Sequence, residues 1–310
     1  MTWVVPLTVL QALRRAAVRA TMAPSLYNTQ PWRLVLRPGA LDVEADQSRR
    51  LRVLDPSGRQ MLMSCGGALF NARVALRASG YEPTVELDPD WTRPQVLARV
   101  TTRDVQPASH SNEADIGRLD AEIELRRTNG HTFASATVPP DVLDQLRAAA
   151  SSEGAQLVAV VRSVDRLSVA HLTQRANAQY QANPAYLAEQ RAWANDGPAG
   201  GSHRSGTSSS AEGGDSGFAS CLLVLGTAAD SPAAWLRAGE ALEHTLLQAT
   251  GDGFVAELHP KVIEMPQTRA QLCRELGLTM RPHILMEVGR APSRPASRRR
   301  RLVSVLVDES

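Results

Sequence analysis

Residues 5–17 of this 310-residue chain (VPLTVLQALRRAA) lie over residues 138–150 (VPPDVLDQLRAAA): Val5, Pro6, Val9, Leu10, Leu13, Arg14, Ala16 and Ala17 match Val138, Pro139, Val142, Leu143, Leu146, Arg147, Ala149 and Ala150. The matched apolar positions follow helical spacing, and Pro6 and Pro139 suit a helix entry, where a missing N–H has no bond to lose. A second pair follows in the same order. Residues 65–80 (CGGALFNARVALRASG) and 238–253 (AGEALEHTLLQATGDG) share Gly66/Gly239, Ala68/Ala241, Leu69/Leu242 and Gly80/Gly253. Each reads as a helix closed by a C-terminal glycine. The chain thus reads as a worn internal duplication.

Each half also carries strand-like segments. In the first, WRLVL (32–36), a Pro38-Gly39 turn and LDVEA (41–45) read as a hairpin, and VLARVT (96–101) as a further strand. In the second, AQLVAVV (155–161), FASCLLVLGT (218–227) and HILMEVG (283–289) are the expected strands. Ile116, Leu119 and Ile123 mark a helix joining the halves, and LVSVLV (302–307) reads as a closing strand after a basic run. Helices and strands mix without strict alternation, which gives an α+β class. The expected organisation is an N-terminal lobe over 1–110 and a C-terminal lobe over 111–310. Within the second lobe, residues 195–217 hold seven glycines and six serines, a composition that builds no core. That stretch reads either as an inert surface loop or as a lid over a site.

A formal net charge of +2 argues against a dedicated nucleic-acid binder, which carries a large basic excess. No apolar run of about 18 residues occurs, so no membrane span is expected. The start MTWVVPLTVLQALRRAAVRATM is amphipathic and arginine-bearing, somewhat like a transit peptide, yet the repeat makes it part of the fold. Cys65, Cys221 and Cys273 are far apart and lack CxxC spacing, which fits a reducing, cytoplasmic setting. No HExxH, EF-hand loop, P-loop or GxSxG occurs and the histidines have no ligand spacing, so no metal is expected. The GxG at Gly251–Gly253 lacks a third glycine and follows a helix, so it is no dinucleotide fingerprint. Lys261 is the only lysine among 34 basic residues. With so general a bias, an arginine counts by its position and not by its type.

Two chemistry-bearing features occur in one half only. APSLYNTQPWR (23–33) gathers a hydroxyl (Ser25), two amides (Asn28, Gln30), a guanidinium (Arg33) and a large aromatic (Trp32) just before a strand. That mixture suits a polar, planar ligand, since amides donate and accept while an arginine only donates. LRRTNGHTF (125–133) ends a helix with Arg126 and Arg127 followed by Thr128. It reads either as a solvated helix end or as a grip for phosphate.

PSLYNTQPWR resembles the Ser-x-x-Asn-x-Gln-Pro-Trp-Arg motif of the FMN-dependent nitroreductase family. RRTNGHTF followed by VPPDVLDQL is similar to that family's opening, and HILMEVGRAPSRPASRRRRLVSVL to its terminal strand, Gly-Arg-x-Pro element and crossing tail. More narrowly, DPSGRQMLMSCGGALFNARVALRASG (55–80) resembles the fused, two-lobed actinobacterial subgroup called Acg-like.

The resemblance implies a nitroreductase-like fold duplicated so that one chain mimics the family's intertwined homodimer. Flavin sites in such dimers lie at the interface, with the arginine pair and basic tail from one subunit and the Ser-x-x-Asn loop from the other. This chain has each piece once, on opposite lobes, so the resemblance implies one FMN site in a monomer. Arg126, Arg127 and Thr128 would hold the phosphate with Arg299 and Arg300 of the tail; Ser25, Asn28, Gln30, Pro31, Trp32 and Arg33 would line the ring and ribityl chain. Arg33 or Gln30 would face the N1/C2 carbonyl edge. The implied activity is that of an FMN-dependent NAD(P)H oxidoreductase, acting with NADH or NADPH on a small-molecule acceptor such as a nitroaromatic or quinone. The alternative is a protein that stores FMN with little turnover. No partner beyond the small-molecule substrate is expected.

Overall fold

The computed structural model describes residues 8–88, 92–104, 116–128, 133, 137–196, 220–291 and 297–310. The chain enters at α1 (Val9–Ala20), opened by a reciprocal cap in which the Thr8 side chain accepts from the Gln11 N–H and the Gln11 side chain accepts from the Thr8 N–H. β1 (Trp32–Arg37) and β2 (Ala40–Ala45) form the expected hairpin, turned by Gly39 in the left-handed region at φ 71°. Then follow α2 (Arg59–Ala78), β3 (Tyr81–Leu87) and β4 (Val96–Asp104). A 3-10 turn (Ile116–Leu119) and α3 (Asp120–Leu125) join the halves at the place the apolar spacing indicates.

The second half runs α4 (Pro140–Ser152), β5 (Gln156–Ala159), α5 (Ser163–Gln181), α6 (Pro184–Asp196), β6 (Cys221–Thr227), α7 (Pro232–Gly251), β7 (Val255–Leu258), α8 (Lys261–Glu264), α9 (Pro266–Leu276) and β8 (Arg281–Gly289). One sheet has the order β3-β4-β2-β1, extended by β9 (Leu306–Asp308), and the other β7-β8-β6-β5. Exchanging β1 for β5, β2 for β6, β3 for β7 and β4 for β8 turns one order into the other. All six of these pairings are antiparallel. The helices keep step: α1 precedes β1 as α4 precedes β5, and α2 sits between strands as α7 does.

α2 and α7 are buried almost all round, the signature of central helices. They cross at Gly66 and Gly239. A Cβ on Gly66 would overlap the Leu236 carbonyl oxygen, and one on Gly239 would overlap that of Met63. Each glycine therefore seats against the carbonyl three residues before the other, the same contact seen from either helix. One core lies between α1, α2 and the first sheet (Leu13, Trp32, Leu34, Val43, Leu69), and another between α4, α7 and the second (Leu146, Leu223, Leu246, Met286).

The closing segment differs from the expected continuous strand over 302–307. Leu302–Ser304 form a 3-10 turn, and β9 starts only at Leu306, where it pairs parallel to β1 with Leu306 opposite Leu34. The tail of the second half thus completes the first sheet. α5 and α6 were not legible as helices, because exposed Val164 and Leu167 blur the stripe Val169, Leu172, Ala176 and Tyr180 that α5 buries. The lid reading of 195–217 begins in the last turn of α6 and otherwise lies outside the described residues, as does the lobe boundary at 110/111. Among the described residues no helix is long and apolar enough to cross a membrane, and no cluster of His, Cys, Asp and Glu could hold a metal ion.

Candidate functional site

Two segments far apart in sequence converge on the main-chain carbonyl of Met22, just past the end of α1. Arg126 donates to it through Nη2 at 3.1 Å and Arg299 through Nη2 at 2.8 Å. Arg126 follows α3 and is buried; its Nη1 lies 3.3 Å from Thr128 Oγ1, and Thr128 bridges to Ala256 beside β7. Arg127 donates to the carbonyls of Glu124 (2.6 Å) and Arg126 (2.8 Å). Burial and then the neighbouring Arg126 charge, only partly countered by Glu243, push the Arg299 guanidinium down to about 10; Arg127 lowers it further. Burial and then Arg126 lower Arg127 as well.

The carboxylate that answers this cluster is Glu243 of α7, fully buried, with Oε1 3.4 Å from Arg126 Nε. Among the described residues, Arg126 and Arg299 face this one acid, with Arg127 next to Arg299. The position related to it by the repeat is the opposite in sign. There Arg73 Nη1 reaches Glu153 (2.6 Å) and Glu240 (2.7 Å), while Phe70 stacks on His244 at 4.7 Å between ring centroids. The sequence repeat places Phe70 over Glu243 and Asn71 over His244. Among the described residues, one side of the α2/α7 crossing therefore gathers arginines around one carboxylate, and the other sets one arginine between two carboxylates.

The Ser25–Gln30 loop stands against the arginine cluster in a conformation that side chains seldom adopt. Tyr27 (φ 50°), Asn28 (φ 55°) and Gln30 (φ 47°) all lie in the left-handed region, at a cost of about 1–2 kcal/mol each. Ser25 holds the turn: its Oγ accepts from Gln30 N–H at 2.9 Å and its carbonyl from Asn28 N–H at 2.9 Å. Two amides clamp the tail onto the loop. Asn28 Nδ2 donates to the Arg298 carbonyl (2.9 Å) and its Oδ1 accepts from Arg299 (3.1 Å), while Gln30 Oε1 accepts from the Arg300 N–H (2.8 Å). Each amide keeps hydrogen-bonding capacity for a ligand.

The structure brings Ser25, Asn28, Gln30, Arg126, Arg127, Thr128 and Arg299 together, with buried Pro31 just behind. It corrects three of the sequence expectations. Trp32 is fully buried in the first core, because the β1 pleat turns it toward α2. The same alternation puts Arg33 on the opposite sheet face, 3.9 Å from Glu44. Arg300 leaves the cluster for the Gln30 carbonyl (3.0 Å) and Asp46 (3.3 Å), so it anchors the tail. Sequence reading missed the Met22 carbonyl and Glu243, neither of which stands in a motif.

Helices α5 and α6 cover the far side of the loop. The Tyr27 hydroxyl meets Tyr186 of α6 at 2.5 Å, and the Arg49 guanidinium lies 4.9 Å from the Trp193 ring centroid. Burial and then Tyr186 raise the Tyr27 phenol, which stays neutral. Tyr27→Phe is expected to cost about 1 kcal/mol, and a double-mutant cycle with Tyr186→Phe in urea should return a coupling of similar size. Additive single effects would show that the pair does not hold the helices down.

This is a two-sheet α+β protein with a strained loop and an arginine cluster, suited to an anion such as phosphate, where its halves meet. The chain is similar to a Mycobacterium tuberculosis protein named "Putative NAD(P)H nitroreductase Rv3131", at 31% identity over 305 residues, covering 91% of this chain and 86% of that protein. It is similar also to "Putative NAD(P)H nitroreductase acg" of the same organism, at 30% identity over 303 residues, covering 90% of this chain and 89% of that one. The chain belongs to the nitroreductase family. No protein-family model matches it. A crystal structure of a nitroreductase with bound FMN from Bacteroides fragilis is similar at 16% identity and a TM-score of 0.40, over 59% of this chain and 90% of that chain.

Proposed function

We propose that the chain is an FMN-dependent NAD(P)H oxidoreductase with one flavin site, and that its two halves descend from a duplicated subunit. The observation that carries this is the convergence of Arg126 and Arg299 on the Met22 carbonyl, opposite buried Glu243 and beside a loop strained into place by Ser25. Arg126, Arg127 and Arg299 would hold the phosphate through charge-assisted bonds, with the Thr128 hydroxyl beside them. Ser25, Asn28 and Gln30 would present the polar edge that meets the ring and ribityl chain. Support for one site and not two comes from the related position, where Arg73 is already paired with Glu153 and Glu240. The matching strand orders and the reciprocal Gly66/Gly239 contacts support the duplication reading.

Bound flavin would supply hydride acceptance from NAD(P)H and electron delivery to a small organic acceptor such as a nitroaromatic or quinone. The chain's part is to bind and orient it: the tail clamp through Asn28 and Gln30 fixes Arg299, and α5 with α6 shields the loop from water. Purified protein is expected to be yellow. Anaerobic mixing with NADPH, followed at the flavin absorbance band, should bleach it promptly. A colourless protein that takes up no added FMN would overturn the proposal, and an oxidised spectrum persisting for hours would assign the chain to flavin storage.

A further inference from the structure

We infer that Glu243 is the proton-linked counter-charge of the arginine site: when Arg126, Arg127 and Arg299 take a phosphate group, Glu243 takes up a proton, so affinity for a phosphate monoester falls as pH rises above neutrality. This rests on the reading of that cluster as the FMN phosphate grip.

The geometry is that of a buried carboxylate held mainly by guanidinium charge, with the Asn71 amide as its uncharged polar neighbour. Glu243 is fully buried, its Oε1 is 3.4 Å from Arg126 Nε, and neither oxygen has a formed hydrogen bond among the described residues. A buried carboxylate keeps its charge only through nearby positive groups. Each neighbouring element contributes as follows. α2 brings Gly67 and the neutral amide of buried Asn71; the stretch after α1 brings Ala23 and Pro24. The segment after α3 brings Arg126, and the tail brings Arg299 with Arg127 beside it. On α7 itself, Glu240 and His244 turn to Arg73 and Glu153 on the far side of the crossing. Among the described residues, the charges facing Glu243 are therefore the arginines Arg126 and Arg299. Burial raises its carboxyl to about 7, with Arg126 pulling back.

A phosphate dianion placed on the same guanidiniums engages their charge and adds its own. Both effects favour the protonated acid, so the liganded state has the higher pKa and binding takes up a proton. Affinity is then highest below the unliganded pKa and falls as pH rises through both values. The second ionisation of a phosphate monoester, near pH 6, works the other way but is complete above neutrality. A rise of about one pKa unit on binding corresponds to a fall in affinity of up to about tenfold across the window.

The test uses the full chain freed of flavin and titrated with FMN by fluorescence quenching between about pH 7 and about pH 8.5, below the range where Arg299 titrates. Wild type should weaken about three- to tenfold, whereas Glu243→Gln should hold one affinity and bind more tightly than wild type at the upper end. Should that variant fail to fold, calorimetry of wild type in two buffers of different ionisation enthalpy decides the matter: FMN should take up protons, and riboflavin, which lacks the phosphate, should not. Flat wild-type affinity without proton uptake overturns the inference while leaving the flavin site standing. Equal uptake with riboflavin, or an unchanged slope in Glu243→Gln, also overturns it. No FMN binding at any pH removes both.

Discussion

Arg299→Met should weaken FMN binding about 100-fold while leaving the flavin-free protein within about 1 kcal/mol of wild-type stability. The two effects separate because of where the charge sits. Burial and Arg126 hold the Arg299 guanidinium down to about 10, so it is charged at neutral pH but holds that charge at a cost that an anion would relieve. Removing it forfeits charge-assisted bonds to phosphate, each worth about 1.5–3 kcal/mol, and relieves repulsion within the free site. The bonds to Asn28 and Met22 lost with it are what keep the stability change near zero and not below it. Arg126→Met should behave differently, destabilising the fold as well, because it strands the buried Glu243. Fluorescence titration and thermal melts of the two variants check this. Unchanged FMN affinity in Arg299→Met would remove that residue from the site.

The largest stability effects are expected at the helix crossing. Gly66→Ala and Gly239→Ala should each cost about 3 kcal/mol or more, since the new methyl lands on a carbonyl oxygen of the opposite helix. Backbone cannot yield as a side-chain tip can, so α2 and α7 must part and take the junction of the halves with them. Gly251→Ala on α7 is the control: its Cβ would meet Glu122 at an ordinary 3.8 Å, and alanine's helix preference should make it neutral or mildly stabilising. Urea denaturation of the three variants measures the difference. Wild-type stability in Gly66→Ala would mean the helices do not pack as closely as described.

Much of the fold was legible because its signals are local. The β1–β2 hairpin follows from alternation and the Pro38-Gly39 turn, and α2 and α7 show as apolar runs with terminal glycines. β3 was not legible, since its residues alternate between half-buried and exposed and include Pro83. α5 and α6 escaped for a related reason, their buried stripe being diluted by exposed apolar side chains. Motif reading pointed to Ser25, Asn28, Arg126 and Arg299, which the fold brings near one another. It misplaced Trp32 and Arg33, because membership of a motif does not say which face of a strand a residue takes.

By itself the sequence determined that two pairs of similar helical segments recur in the same order, that the chain is α+β, and that its two chemistry-bearing motifs stand about a hundred residues apart. Those properties depend on spacing and residue type, which any stretch of chain carries with it. Only the tertiary structure decided that the Met22 carbonyl gathers two of the arginines, that buried Glu243 lies beside Arg126, and that Arg73 is paired with Glu153 and Glu240. Those depend on residues from 80 to 277 positions apart in the chain. The helix crossing at Gly66 and Gly239 decides which of them meet.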